Sequence, residues 1–395
     1  MPIIAALRDA PWLTRRRLRD YAIILIACYG VGIGWLLSGP GLLDPRGRAK
    51  GTDFVSFWTV SAALHDGDTA EIYDPQRLAA HERALQGIDD FYAFAYPPTA
   101  LLLVYPLALL PYLWSLAAWT AAGLAVYLQA LWRILPDRLT PLAGLAFPAV
   151  FVTVGHGQNA LLSAGILASA LSLLERRPIV AGALIGLLTY KPQLGLLVPV
   201  ALVFGRHWRA LAAAAISTLG LAALSALLFG SGVWVDFLGS TGFAKAMLEQ
   251  ELVSYFKMQS VFAGTRLLGG ALAVAYALQA AATLLAALVA AAVWRGPAAA
   301  ELRYAVLVVA GLLASPFLLD YDLMLLAPAI AWLGAVQRRD GMRPWEATAM
   351  AAACIAPLLA RPLSEVTGII VTPAIEAALL AVLAARCGLL APRPS

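Results

Sequence analysis

Residues 211–230 and 268–294 contain no charged side chain. An apolar stretch of about 20 residues is long enough for an α-helix to cross the hydrocarbon core of a bilayer. No water satisfies the backbone in that medium, so a crossing segment must be a helix or a strand of a closed barrel. Barrel strands alternate apolar and polar residues over about 10 positions, whereas these runs are apolar on every side. The rest of the chain agrees: 61% of its 395 residues are hydrophobic, 13% are charged and the mean hydropathy is +0.79. Soluble domains carry about 25% charged residues. The expected fold class is an all-α polytopic membrane protein. No polar stretch exceeds roughly 60 residues, so residues 1–395 are expected to form a single transmembrane domain without a separate soluble one.

Charge then sets the topology. A net charge of +5 and a pI of 9.2 would suit a nucleic-acid partner in a soluble chain. Here the arginines sit in short clusters between apolar runs, which points to orientation in a bilayer. Helices are expected near 21–38, 112–133, 139–155, 158–174, 178–190, 193–204, 209–230, 268–294, 301–318, 323–337, 345–360 and 366–388, about 12 in all. Segment 96–111, YPPTALLLVYPLALLP, is bounded by prolines and too short for a comfortable crossing, and is expected to be re-entrant. With that choice Arg8, Arg15–Arg17, Arg19, Arg133, Arg138, Arg176, Arg177, Arg206, Arg209, Arg295, Arg303, Arg338, Arg339, Arg343, Arg386 and Arg393 share one side. That side holds 18 of the 28 Lys and Arg and is expected to be cytoplasmic. The alternative, with 96–111 as a full span and 178–204 as one kinked helix, exports Arg133, Arg138, Arg176 and Arg177. The first apolar run is too long for a signal peptide and no A-x-A-like site follows, so it reads as an uncleaved helix. Cys28, Cys354 and Cys387 lie in apolar spans and read as small buried hydrophobes.

The preferred topology gathers five polar breaks on the outer side: GTDF (51–54), FAYPPT (94–99), GHGQN (155–159), TYKPQ (189–193) and SPFLLDYD (315–322). Irregular backbone at membrane depth is tolerated where it lines a cavity, so these breaks are expected to surround one chamber. Loops 39–95 and 231–267 face the same way. Within the first, Phe54, Phe57, Trp58, Ser61 and Leu64 follow helical spacing and predict a short interfacial helix capped by Asp53 or Thr52 and ended by Gly67. Asp74 and Pro75 open a second surface helix. Loop 231–267 is expected to contribute another interfacial helix.

Each polar residue carries two readings. Asp53 is a helix cap, a general base, or both. Lys191 interrupts two apolar stretches, where a charge costs about 2.5–3.5 kcal/mol at membrane depth; it either snorkels to the interface or meets an anionic ligand. His156, Gln158 and Asn159, the chain's only asparagine, cap a helix or offer donors to phosphate or sugar hydroxyls. Asp320 and Asp322 cap the following helix or line the pocket. There is no GxGxxG, P-loop or GxSxG pattern, and no His/Cys cluster has metal-ligand spacing.

In this order the stretches TDFVSFWTVSAALHDGDTAEIYDP, FAYPPTALLLVYPLALLP, GHGQNALLSAGIL, KPQLGLLVPVAL and SPFLLDYDLMLLAPA resemble glycosyltransferase family 87. These are GT-C membrane enzymes that include polyprenyl-phosphate-mannose-dependent α-1,2-mannosyltransferases. The resemblance covers roughly residues 50–330. It implies a GT-C bundle, a polyprenyl-phosphate sugar donor, a lipid or glycan acceptor, and catalysis at the outer face of the plasma or inner membrane. The family's aspartate in the first outer loop falls on Asp53, as general base. A lysine ahead of a proline, Lys191, falls where the donor phosphate binds, with His156 and Gln158 beside it. Tyr96, Asn159, Asp320 and Asp322 are assigned to the sugar or acceptor pocket. No metal or other cofactor is expected, and mannose is the default sugar. The rival class is a transporter or flippase of a lipid-linked glycan, whose polar residues would have to reach both faces.

Overall fold

The computed structural model describes residues 2–86 and 90–389; Arg393 lies outside the described residues. Among these the secondary structure is helical, with no strand and two isolated bridges, Leu43 to Ala49 and Met258 to Leu319. Among the described residues five helices are long and apolar enough to cross a membrane: Arg15–Leu37, Tyr112–Ile134, Trp208–Phe229, Leu272–Arg295 and Glu346–Thr367. The other expected spans are present as shorter or broken helices.

Proline accounts for most of the breaks. The stretch expected as one helix over 139–155 splits into Thr140–Ala146 and Pro148–His156, with Phe147 extended at φ −62°, ψ 123°. A residue preceding proline is pushed out of the helical region. The expected helices 178–190 and 193–204 become Pro178–Leu187 and Val198–Phe204, joined through short 3₁₀ turns that flank Lys191. Segment 96–111 contains a helix over only Thr99–Val104 and a 3₁₀ turn over Leu107–Leu109. In contrast, Glu346–Thr367 runs beyond its expected end at 360, carrying Pro357 and Pro362 inside it.

Helix Pro178–Leu187 lies against Trp208–Phe229 through Gly182 and Gly186. A Cβ on Gly182 would overlap the Ala210 carbonyl and the Ala213 Cβ; one on Gly186 would overlap Ser217. Small residues four apart let two backbones approach closely where lipid offers no hydrophobic drive to association.

The first outer loop departs from expectation. Helix Phe54–Asp66 forms and Gly67 ends it with φ +79°, but it does not lie on the surface. Phe54, Val55, Phe57, Val60, Ala63 and Leu64 are all buried. Segment 99–109 and the surface helix Pro75–Gln86 cover it, and the Ser61 hydroxyl donates to the Tyr105 carbonyl at 2.7 Å. Asp74 caps Pro75–Gln86 as expected, accepting from the amides of Gln76 and Arg77 at 2.9 and 3.2 Å. Loop 231–267 supplies helix Gly232–Glu249. All three cysteines are free, and Cys28 is exposed rather than buried.

One end of the bundle is tied together by ion pairs. Asp137 accepts from Arg15 at 2.9 Å and from Arg338 at 3.3 Å. Arg339 meets Glu301 at 3.3 Å, Arg303 meets Glu175 at 2.8 Å, and Arg386 meets Glu346 at 2.8 Å. His207 approaches Glu175 at 3.8 Å. Most of these pairs are exposed and contribute little stability, but they locate the loops. The regions around residues 15, 137, 175, 207, 301, 338 and 386 therefore share one face, as the charge distribution predicts.

Candidate active site

Four of the five polar motifs meet around Asp53, and the fifth joins them through Lys191. Asp53 occupies the N-cap position of Phe54–Asp66, yet its side chain makes no capping bond. Its amide instead donates to the His156 carbonyl at 3.0 Å. One carboxylate oxygen, Oδ2, accepts from Gln158 Nε2 at 2.8 Å. The other, Oδ1, lies 3.4 Å from the Thr52 hydroxyl and 4.0 Å from His156 Nδ1. The Asp53 side chain is 30% exposed. The capping function expected of it is thus not exercised, and the partly exposed carboxylate has one strong neutral donor.

Glycine makes this convergence possible. Helix Pro148–His156 ends at Gly157 with φ +64°, a conformation costly for residues with a Cβ. A Cβ there would also stand 2.5 Å from that of Phe54. The reversal turns Gln158 back toward Asp53, and the Trp119 indole donates to the Gly157 carbonyl at 3.1 Å.

Gln158 is the hub. Besides binding Asp53 it donates to the Tyr321 hydroxyl at 3.1 Å, while its Oε1 accepts from Tyr96 Oη and from the Asn159 amide, each at 3.1 Å. An amide with both ends engaged is fixed in orientation. The Thr52 hydroxyl and His156 Nδ1 are 2.6 Å apart.

Lys191 is 2% exposed, and its ammonium is ion-paired with Asp322 and stands 4.8 Å over the Tyr321 ring. Asp322 Oδ2 also accepts from the Leu319 amide at 3.2 Å. The lysine expected at the donor phosphate is therefore already neutralised. It supports Tyr321, which contacts Gln158, which contacts Asp53. Tyr96, Gln158, Asn159 and Asp322 likewise belong to the wall behind Asp53. Asn159 is buried and its Oδ1 has no partner among the described residues.

A cavity of about 560 Å³ opens beside this network. Of the residues expected at the site, His156 and Asp320 line it, and Thr52 joins them. Sequence reasoning missed four participants: Tyr321, Thr52 as the partner of His156, and the cavity-lining Arg48 and Arg361. Arg361 left a readable trace, being a charge inside an apolar helix next to Pro362; intramembrane charges usually mark function. Arg48 left none, because a loop arginine is ordinary.

In comparison with known proteins, the family described as glycosyltransferase family 87 matches residues 94–316. That range begins downstream of Asp53 and ends before Asp320. No curated protein and no solved structure matches.

Proposed function

Because this chain belongs to glycosyltransferase family 87, we propose that it moves a sugar from a polyprenyl-phosphate donor onto a lipid or glycan hydroxyl, with Asp53 as general base. Mannose is the first candidate for the sugar, and the extracytoplasmic face is where the reaction occurs. The observation that carries this reading is the state of Asp53: released from capping, oriented by Gln158, and accessible.

In the reaction, the acceptor oxygen forms a bond to the sugar C1 while the bond from C1 to the phosphate oxygen breaks. Asp53 takes the acceptor's proton, and the electron pair of the broken bond leaves on the prenyl phosphate. The transition state is oxocarbenium-like. Phosphate is a good leaving group and needs no general acid, so a single carboxylate suffices. Attack opposite the leaving group inverts C1 and converts a β-linked donor into an α-linked product. The Gln158 hydrogen bond holds Asp53 in place, and Tyr96, Tyr321, Lys191 and Asp322 hold Gln158. Asp320, facing the cavity, is suited to accept from sugar hydroxyls.

The test is transfer of labelled sugar from a polyprenyl-phosphate donor to a lipid-extract acceptor by purified protein. Asp53→Asn is expected to lower turnover by about 10²–10⁴-fold while thermal stability and donor binding persist. Turnover near wild type in that variant rules out Asp53 as the base. Movement of a lipid-linked glycan across vesicles without any new glycosidic bond would support the transporter reading instead.

A further inference from the structure

The 560 Å³ cavity has its own chemistry, which the network around Asp53 does not use. Three helices build it, and each changes character in the same direction. Arg15–Leu37 contributes Gly32 and Leu36 and then leads into the loop with Arg46 and Arg48. Pro148–His156 contributes Phe151 and Val152 and ends on His156. Glu346–Thr367 contributes Pro357 and Leu358, then Arg361. All three run away from the ion-paired end of the bundle. The cavity is therefore apolar at one end and charged at the other, where Arg46, Arg48, Lys50 and Arg361 stand with Asp44, Asp320 and Glu365.

Its cations lack carboxylate partners. Among the described residues no acid lies within ion-pair distance of Arg46, Arg48 or Arg361. Arg46 stands 4.9 Å over the Trp35 ring and Arg361 stands 5.8 Å from the Phe256 ring. Asp44, which also lines the cavity, accepts at Oδ1 from the amides of Arg46 and Arg48 at 2.8 and 2.9 Å. Lys50 anchors the loop, donating to the carbonyls of Gly39 and Gly41 at 2.8 Å each. Lys257, one residue beyond Phe256, is held below its ordinary value, by burial first and by Arg361 next. Guanidinium groups without an ion-pair partner that share one cavity suit an anion, and arginine's planar fork suits phosphate oxygens.

Arg15–Leu37 and Glu346–Thr367 both pack on Pro148–His156 but make no comparable contact with each other, and both line the cavity. The seam between them is the route by which a hydrocarbon chain in the cavity would reach lipid. Pro357 and Pro362 remove backbone hydrogen bonds from the helix on one side of it.

We infer that this cavity is the seat of a lipid phosphate, its phosphate oxygens on Arg48 and Arg361 and its hydrocarbon chain leaving through the seam between Arg15–Leu37 and Glu346–Thr367. The inference rests on the lipid-phosphate donor proposed above and moves the phosphate from Lys191 to these two arginines. Asp320 and Glu365, the other acids lining the cavity, repel phosphate and leave Arg48 and Arg361 as its place.

The test is binding of a long-chain polyprenyl phosphate to the purified full-length protein in detergent, with the matching polyprenol and inorganic phosphate as separate probes. Arg48→Gln and Arg361→Gln are each expected to weaken polyprenyl-phosphate binding by about tenfold or more. Lys245→Gln, which removes a cation from helix Gly232–Glu249 outside the cavity, is expected to leave it unchanged. Leu358→Trp, which fills the seam, is expected to weaken both lipids. Wild-type affinity in both correctly folded arginine variants overturns the inference, as does inorganic phosphate binding as tightly as the lipid. If those variants keep wild-type affinity while sugar transfer from the prenyl donor proceeds, this seat is wrong and the proposed reaction stands. If the wild-type protein binds no polyprenyl phosphate and transfers sugar from another donor, both fall.

Discussion

Lys191 shows how far a single residue's surroundings change its meaning. In the sequence it is an isolated cation between apolar stretches, which invites an anionic ligand. In the structure it is paired with Asp322, and both side chains are buried. Breaking a buried pair by removing one partner leaves an uncompensated charge, at a cost of about 3–5 kcal/mol. Lys191→Met is therefore expected to lower thermal stability in detergent sharply, while the double variant Lys191→Met/Asp322→Leu recovers most of the loss. The same double variant separates the two roles. Wild-type affinity for polyprenyl phosphate with lowered turnover in it identifies Lys191 as a positioning residue, whereas a folded double variant with weakened polyprenyl-phosphate binding returns the lysine to the phosphate. Asp53 makes the complementary point: a residue at a helix N-cap had a ready structural explanation, and only the absence of the capping bond frees it for chemistry.

At the level of elements, the contact between Pro178–Leu187 and Trp208–Phe229 depends on glycine. Gly182→Leu is expected to separate the two helices and lower the unfolding temperature, whereas Gly220→Leu, whose Cβ position faces open space, is expected to be near neutral. Equal effects of the two would show that the close approach does not matter. The surface helix Pro75–Gln86 carries a different liability. Glu82 is fully buried; its Oε2 accepts from the Tyr92 amide at 3.0 Å and its Oε1 has no partner among the described residues. Burial pushes its carboxyl from the ordinary 4.5 up to about 8, against the opposing pull of the Tyr92 hydrogen bond. Between those values the unfolded chain gives up a proton that the folded protein retains. Glu82's contribution to stability therefore falls as pH rises from about 4.5 to about 8 and is level outside that window. Glu82→Gln is expected to remove that part of the slope in a melting series from pH 5 to 8. An unchanged slope would mean that the group does not titrate there. Helix Phe54–Asp66 illustrates a limit of periodicity: aromatic residues at helical spacing predict a helix but do not say how many of its faces are covered.

The whole molecule is polarised between an arginine-rich, ion-paired end and an end where the irregular motifs and the cavity meet. By the positive-inside rule we propose that the first faces the cytoplasm. In a variant with Cys28, Cys354 and Cys387 replaced by alanine, Thr241→Cys is expected to react with a membrane-impermeant maleimide on intact cells. Met342→Cys is expected to react only after permeabilisation, and the reverse pattern would invert the topology and remove the site from the outer face. Much of this organisation was legible in the chain itself. Long apolar runs leave a membrane-embedded backbone no alternative to helices, clustered arginines choose a side because they cross the bilayer at great cost, and prolines mark where helices stop. The sequence alone also singled out the motifs, since polar and glycine-rich breaks in an apolar chain need a reason. What only the tertiary structure decided is which charges remain available. Neutralisation depends on distances of a few ångströms between residues far apart in the chain, such as Lys191 and Asp322. The arginines without a partner, like the carboxylate without a helix to cap, became visible only when every neighbour was in place.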